Sequence, residues 1–325
     1  MFSYRLIIQK ALNIAWQHKY LWLFGLFATI VAASGSFEYQ FLSGNLQAGS
    51  LENPYFYLNL VLIGLESLGL FLLGILNLFT YNILTIINTL TVIIMVTALI
   101  ASFVWLSISS QGALFSASKE LIINGKKKVA LNLQKLITTG HNNFWPVLGL
   151  NLIAKLAIII ILSLISLPLI ILATKTSISL TFIYTLAFII LAPLAIACTI
   201  IVRYAIAFKV LDAEDFVGSI KKSWLLFKNN WLVSVEMGLI LFLINFAVGF
   251  LLVIGLSILI LPYFIFAIDY GIVLLIIILA LIALFLILSL GAFITTFQIS
   301  AWTNIFLELK KGNGQAKLER IFARK

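Results

Sequence analysis

Residues 140–173 read GHNNFWPVLGLNLIAKLAIIIILSLISLPLIILA. From Val147 onward Lys155 is the single charge, in a run that outlasts the roughly 20 apolar residues a membrane-crossing helix needs. A membrane β-strand would alternate apolar and polar side chains over about ten residues, and this stretch does not. It therefore reads as a transmembrane helix, entered through a polar turn at Gly140–Asn143.

The remainder of the chain has the same character. Of its 325 residues 63% are hydrophobic and 10% charged, against about 45–50% and 25% in soluble domains. Mean hydropathy is +1.17. No water-soluble core hides that much apolar surface, so the expected fold is an all-α, polytopic membrane helical bundle forming a single membrane domain over residues 1–325. The lone Cys198 rules out an intramolecular disulfide. A net charge of +10 would suggest nucleic acid in a soluble protein. Here the charges stand at the ends of apolar segments and act as orientation signals, so nucleic acid is not an expected partner.

Candidate membrane segments are Tyr20–Ser34, Tyr57–Phe79, Leu84–Ile108, Val147–Ala173, Leu180–Val202, Leu232–Leu261 and Gly271–Ile299. The first resembles a signal-peptide core, but the residues before it are too many for such a leader and recur later, so it reads as a retained span. Basic residues gather in four places: Arg5 to Lys19, Lys119 to Lys135, Arg203 to Lys228, and Lys310 to Lys325. By the positive-inside rule all four lie in the cytoplasm, together with both chain ends. Neighbouring clusters must then be separated by an even number of crossings. The first gap holds three apolar segments, so one does not cross. Tyr57–Phe79, with Glu66 at its middle and three glycines, is the candidate for a re-entrant segment. Six or seven membrane segments are expected, according to whether it spans.

The entry phrase recurs. HNNFW at His141–Trp145 is echoed by HKYLW at His18–Trp22 and FKNNW at Phe227–Trp231. Upstream of each lies an amphipathic pattern. Tyr4, Ile8, Ala11, Leu12 and Ala15 share one face of the first; Val129, Leu133, Leu136 and Ile137 one face of the second; Phe216, Ile220, Trp224 and Phe227 one face of the third, with Ser219, Lys222 and Ser223 opposite. Downstream of each lies an apolar hairpin whose returning arm ends alike, in QGALFSASKELIING, RYAIAFKVLDAEDFVG and QISAWTNIFLELKKG. A threefold repeat follows, with units of about 1–125, 126–212 and 213–312 and a basic tail at 313–325. In each unit a basic amphipathic helix lies in the headgroup plane. The chain then turns down through polar residues, and Trp22, Trp145 or Trp231 anchors it with the indole N–H toward water.

Two stretches, RYAIAFKVLDAEDFVGSIKKSWLLFKNNWLVSVEMGLIL from Arg203 and KALNIAWQHKYLWLFGLF from Lys10, resemble prokaryotic multi-helix membrane proteins of the glycerophosphoryl diester phosphodiesterase membrane domain family, and related membrane families of unknown role. The likeness lies in Arg203 at a helix exit, the acidic turn Asp212–Asp215, Ser219 and Ser223 before Trp224, and Lys-Asn-Asn before Trp231. It implies a membrane fold in a prokaryotic cytoplasmic membrane. It does not bring the phosphodiesterase reaction, which belongs to a separate barrel of roughly 250 residues that this chain has no room for.

Ionisable residues inside apolar runs are functional candidates by default. They are Glu66, Lys155 and Glu236, each also explicable by snorkelling or pairing. His18 and His141 lack the further ligands of a metal site. Asp212, Glu214 and Asp215 stand where a helix starts and read as N-caps. Asn151 and Asn245 are placed to bond between helices. Lys126, Lys127, Lys128, Arg203, Lys221 and Lys222 form a basic belt suited to anionic lipid headgroups. No phosphate-cradling loop, zinc spacing or nucleophile elbow occurs, so neither catalysis nor a metal or cofactor is expected. The reading is a non-enzymatic membrane scaffold or accessory component whose partners are membrane lipids, with any protein partner open. The alternative is a small transporter or lipid-translocating protein that uses the three intramembrane charges.

Overall fold

A computed structural model describes residues 3–33, 66, 69–70, 83–124, 132–174 and 178–312. The described chain is helical, with no strands among the described residues. We number the helices α1 (Tyr4–Gln17), α2 (Leu21–Ala33), α3 (Ile83–Asn124), α4 (Leu133–Asn142), α5 (Phe144–Thr174), α6 (Ile178–Asp212), α7 (Phe216–Asn229), α8 (Trp231–Leu259), α9 (Leu261–Asp269) and α10 (Val273–Lys310). The segment Tyr57–Phe79 lies outside the described residues apart from Glu66, Gly69 and Leu70, as do Lys126, Lys127 and Lys128.

Each Trp phrase is a break between two helices, and at Trp145 and Trp231 the second is the longer. Trp22 is the second residue of α2, Trp145 the second of α5 and Trp231 the first of α8. The two later breaks share one device. Asn143 donates its side-chain amide to the Thr139 carbonyl at 2.9 Å, and Asn230 donates to the Leu226 carbonyl at 3.1 Å. Asparagine thus satisfies the last orphan carbonyls of one helix while the chain changes direction. At the first break Trp22 does this work, its indole donating to the Ala15 carbonyl at 2.7 Å. That indole faces its own chain and not water, a correction to the expectation. Helix starts are capped where the sequence supplies a cap. The Asn132 side chain accepts from the Lys135 N–H at 3.3 Å, and Asp215 from the Gly218 N–H at 3.1 Å.

The returning arms are long continuous helices: α3, α6 and α10 hold 42, 35 and 38 residues. At 1.5 Å per residue each exceeds about 50 Å, well beyond the roughly 30 Å of a hydrocarbon core. The connection read at Pro262–Tyr270 is instead a helix, α9. It starts with Pro262 in its first turn, where the missing N–H costs nothing. It ends at Gly271, whose φ of +66° lets the Ile272 N–H reach back to the Ala267 carbonyl at 2.8 Å.

Among the described residues five helical stretches are long and apolar enough to cross a membrane: Ile86–Asn124, Phe144–Ile161, Ile189–Asp212, Trp231–Asp269 and Val273–Lys310. The first expected span appears as α2, 13 residues and about 20 Å long. In none of the five does the most apolar window bury more than 29% of its residues. Large side chains such as Phe246, Leu251, Leu274 and Phe285 stand exposed along them, the condition expected of helices that face lipid.

The chain divides into two compact units. One holds Met1–Ala32, Leu106–Ala154 and Ala197–Lys325; the other Ala33–Trp105 and Lys155–Ile196. The first contains a core cluster of Ala, Leu, Ile and aromatic side chains. Interleaved with these are buried Ser107, Ser110, Ser118, Ser219, Ser223, Ser234, Thr295, Thr296, Ser300 and Thr303. Small hydroxyl residues of this kind let helix backbones approach closely and bond across, as in membrane interiors.

The face read for α1 is largely the buried one, that of α4 only in part, and α7 is rotated from the face read in the sequence. α1 buries Tyr4, Ile7, Ala11, Ile14 and Ala15, while Leu12 and Trp16 are exposed. α4 buries Leu136 and Gly140 and exposes Leu133 and Ile137. α7 buries Ser219 and Ser223 and exposes Trp224. At α7 small residues face protein and a large apolar one faces outward, whereas α1 and α4 bury Ile7, Ile14 and Leu136 beside their small residues. The expected faces assumed that the most apolar side turns inward. That assumption fails at α7, whose buried side carries Ser219 and Ser223, because in surroundings as apolar as leucine close backbone approach decides the packing.

Candidate functional site

Three polar joints organise the first unit. At the first, Asn151 on α5 donates to the Gln111 side-chain oxygen on α3 at 2.8 Å. At the second, Tyr204 on α6 and Ser234 on α8 are bonded at 2.9 Å. At the third, Thr29 on α2 and Thr295 on α10 are bonded at 2.9 Å, and the Thr296 hydroxyl, which donates to the Ala292 carbonyl of its own helix at 2.8 Å, also lies 3.3 Å from the Leu21 carbonyl. Each joint ties a helix that begins at a Trp break to the returning helix preceding it in the chain. The exception is α2, which has none before it and joins the last one, α10.

Proton assignments follow from the second partners. Ser234 donates its one hydroxyl proton to the Asn230 carbonyl at 2.8 Å, so Tyr204 is the donor to Ser234. Thr29 donates to the Gly25 carbonyl at 2.7 Å, so Thr295 is the donor to Thr29. The returning helices also meet one another. Ser118 of α3 bonds Ser300 of α10 at 2.9 Å. Tyr204 and Phe208 of α6 meet Trp302 and Phe306 of α10 edge-on, at 5.8 and 4.8 Å between centroids.

Glycines mark the tightest crossings. A Cβ at Gly140 of α4 would overlap the Ser109 carbonyl oxygen of α3, and one at Gly25 of α2 would overlap the Ala292 carbonyl oxygen and the Thr296 hydroxyl of α10. A Cβ at Gly149 of α5 would stand 3.1 Å from the Phe216 ring at the start of α7.

Glu236, one of the three intramembrane carboxylate and ammonium candidates, belongs to this unit. It is half-buried and accepts from the Tyr4 hydroxyl at 2.5 Å, which ties α1 to α8. Asn304, buried on α10, donates to the Ile7 carbonyl of α1 at 3.3 Å. Trp16 and Trp22 both lie edge-on to Phe293, at 6.0 and 5.5 Å. The helix α1 is thereby closed onto the end of the chain. Glu66 and Lys155 belong to the other unit. Both are exposed, and among the described residues neither forms an ion pair.

Of the acidic turn only Asp215 caps a helix. Asp212 is paired with Lys310 at 2.7 Å and stands 4.0 Å from Lys119, so the ends of α3, α6 and α10 meet at one carboxylate. Lys119 also donates to the Leu211 carbonyl at 2.5 Å. Glu214 pairs with Lys222. These side chains are partly solvated, so each pair contributes at most about 1 kcal/mol. Ala213 between them has a φ of +54°, a left-handed position that costs a non-glycine residue about 1 kcal/mol.

Arg203 is half-buried, its guanidinium 5.3 Å from the centre of the Trp302 ring. Lys221 and Lys222 are exposed. Trp145 and Trp231 are 77% and 57% exposed, free to meet an interface, whereas Trp22 is half-buried. Asn151 bonds between helices as expected, but Asn245 is exposed on α8. His18 stacks edge-on to Tyr20 at 5.7 Å. No three His, Cys, Asp or Glu side chains gather as metal ligands among the described residues.

The hydroxyl residues of the joints were missed in the sequence. Their signal is the recurrence of small residues every three or four positions within apolar helices, as in Thr296, Ser300, Thr303 and Asn304. Comparison with protein-family models, with curated proteins and with solved structures finds no match to this chain.

Proposed function

We propose that the chain is a non-enzymatic, multi-pass integral protein of a prokaryotic cytoplasmic membrane. Both ends lie in the cytoplasm, and the protein serves as a scaffold or accessory component whose basic face contacts anionic lipid. The observation that carries this reading is the division of labour among side chains. Asn151, Gln111, Tyr204, Ser234, Thr29 and Thr295 of the first unit are consumed in helix-to-helix joints, while Phe246, Leu251, Leu274 and Phe285 face outward.

The architecture we infer is a helical bundle of three like units, each a short helix, a Trp break and a hairpin. Like helices share like neighbours. Tyr4 and Phe216 are the first residues of two 14-residue helices. Tyr4 meets Glu236, five positions after Trp231, and Phe216 meets Gly149, four positions after Trp145. Membership of the glycerophosphoryl diester phosphodiesterase membrane domain group remains part of this proposal on the strength of the Arg203 and Trp231 segments.

Transport by Glu66, Lys155 and Glu236 is the weaker reading, because the carboxylate of Glu236 is held by a tyrosine hydroxyl between two helices. Two experiments test the proposal. In a Cys198→Ser background, single cysteines at Lys228 and Lys311 will react with a membrane-impermeant maleimide only in inverted vesicles, and one at Asp269 only in intact cells. Labelling of 228 and 269 from the same side would overturn the hairpin. Proteoliposomes will take up protons no faster than empty vesicles; an uptake abolished by Glu236→Gln would overturn the scaffold reading in favour of transport.

A further inference from the structure

We propose that Lys155 is a binding site for the phosphate of an anionic lipid in the leaflet on the basic side of the membrane. The proposal rests on the membrane reading above and names a lipid contact outside the basic belt.

Lys155 lies within the candidate span Phe144–Ile161, among exposed Leu152, Ile153, Leu156 and Ile159. It is therefore on a face of α5 that meets hydrocarbon. Its ammonium forms no ion pair among the described residues. The nearest amide on the same helix, Asn151, is turned to Gln111 and to the Val147 carbonyl. A bare ammonium in hydrocarbon costs several kcal/mol, so this one must reach an anion or water.

Helix geometry sets the direction in which it reaches. Side chains on an α-helix lean toward the helix N-terminus. For α5 that end is the Phe144–Trp145 break, the basic side of the segment. Lys155 is ten residues from Trp145, about 15 Å along the axis. A lysine stem reaching back roughly 6 Å leaves the ammonium about 9 Å short of the tryptophan level. Tilt of the helix and local thinning of the leaflet bring a lipid phosphate across that distance, and its tails then lie along the exposed Leu and Ile side chains of α5. Free phosphate has no such apolar complement. The chain's own rival anion is Glu66, also exposed and within an apolar run.

The test uses the full chain in detergent, with phosphatidylglycerol, phosphatidylcholine or inorganic phosphate added and lipid retention read by native mass spectrometry. The wild type will retain phosphatidylglycerol in preference to phosphatidylcholine. Lys155→Met will weaken that retention about fivefold, the effect of one lysine at an anionic surface. Lys155→Arg will restore it and Glu66→Gln will leave it unchanged. Equal retention by Lys155→Met and wild type would overturn the site. So would a rise in retention in Glu66→Gln, which would make the two residues an ion pair that the substitution opens. A full effect of inorganic phosphate as competitor would overturn the lipid as the ligand. If retention behaves as expected while the cysteine labelling fails, the orientation reading falls and the lysine site stands. If the labelling holds and Lys155→Met binds like wild type, this proposal alone falls.

Discussion

Gly140→Ala will destabilise the solubilised protein by about 2–4 kcal/mol, and Gly25→Ala by a similar amount. In each case the added methyl meets a backbone carbonyl oxygen of a neighbouring helix, Ser109 for α4 and Ala292 for α2. A side chain can rotate away from a new neighbour, but a carbonyl inside a helix moves only with its helix. The crossing must open, and the contacts on both sides of it loosen together. Gly249→Ala and Gly255→Ala are the controls, because nothing lies within 4 Å of a Cβ at either position. In mid-helix alanine is favoured over glycine by up to about 1 kcal/mol, so these two will be neutral or stabilising. Thermal melts of the four variants in one detergent give the comparison. Equal melting temperatures across all four would mean that the α3–α4 and α2–α10 crossings are not close in solution.

The second large effect separates packing from hydrogen bonding at Tyr204. This side chain is fully buried and lies against Trp302 and Phe306. Tyr204→Ala will therefore cost about 3–5 kcal/mol, the usual range for emptying an aromatic site. Tyr204→Phe will cost about 1 kcal/mol, because Ser234 keeps its own bond to the Asn230 carbonyl and no donor is stranded. Ser234→Ala will cost more than Tyr204→Phe, about 2 kcal/mol. It leaves a phenol proton buried without an acceptor, although it removes no more atoms. Chemical or thermal unfolding of the three variants reads the order directly. A reversal between Tyr204→Phe and Ser234→Ala would show that the donor assignment at this joint is wrong.

The helices themselves were legible in the sequence, since continuous apolar runs between basic clusters leave few alternatives. So was the position of the breaks. A polar pair before Trp145 and Trp231 marks each, and Asn143 and Asn230 prove to be the residues that close the preceding helix. The rotation of α7 was not legible. Helical periodicity identifies the apolar side but does not say whether that side meets protein or lipid, and at α7 the buried side is the one carrying Ser219 and Ser223. Asp212 was likewise misread as a cap, because its partner Lys310 lies 98 positions away in the chain. The partners in the three joints are 40, 30 and 266 positions apart. Local pattern carries no information about which distant hydroxyl a buried threonine will find.

The closure of α1 onto α10 has a consequence in time. Ile7 and Asn304, bonded in the finished protein, are 297 residues apart. A ribosome adding about 5–20 residues per second makes the first of them roughly 15–60 s before the second. Throughout that interval Ile7, Ala11 and Ile14 have been synthesised and the surface that buries them has not. Gly25 and Thr29 on α2 wait for the same late helix. Helix α1 is thus settled only after α10 has been made, and the emergence of α10 from the ribosome is the event that closes it.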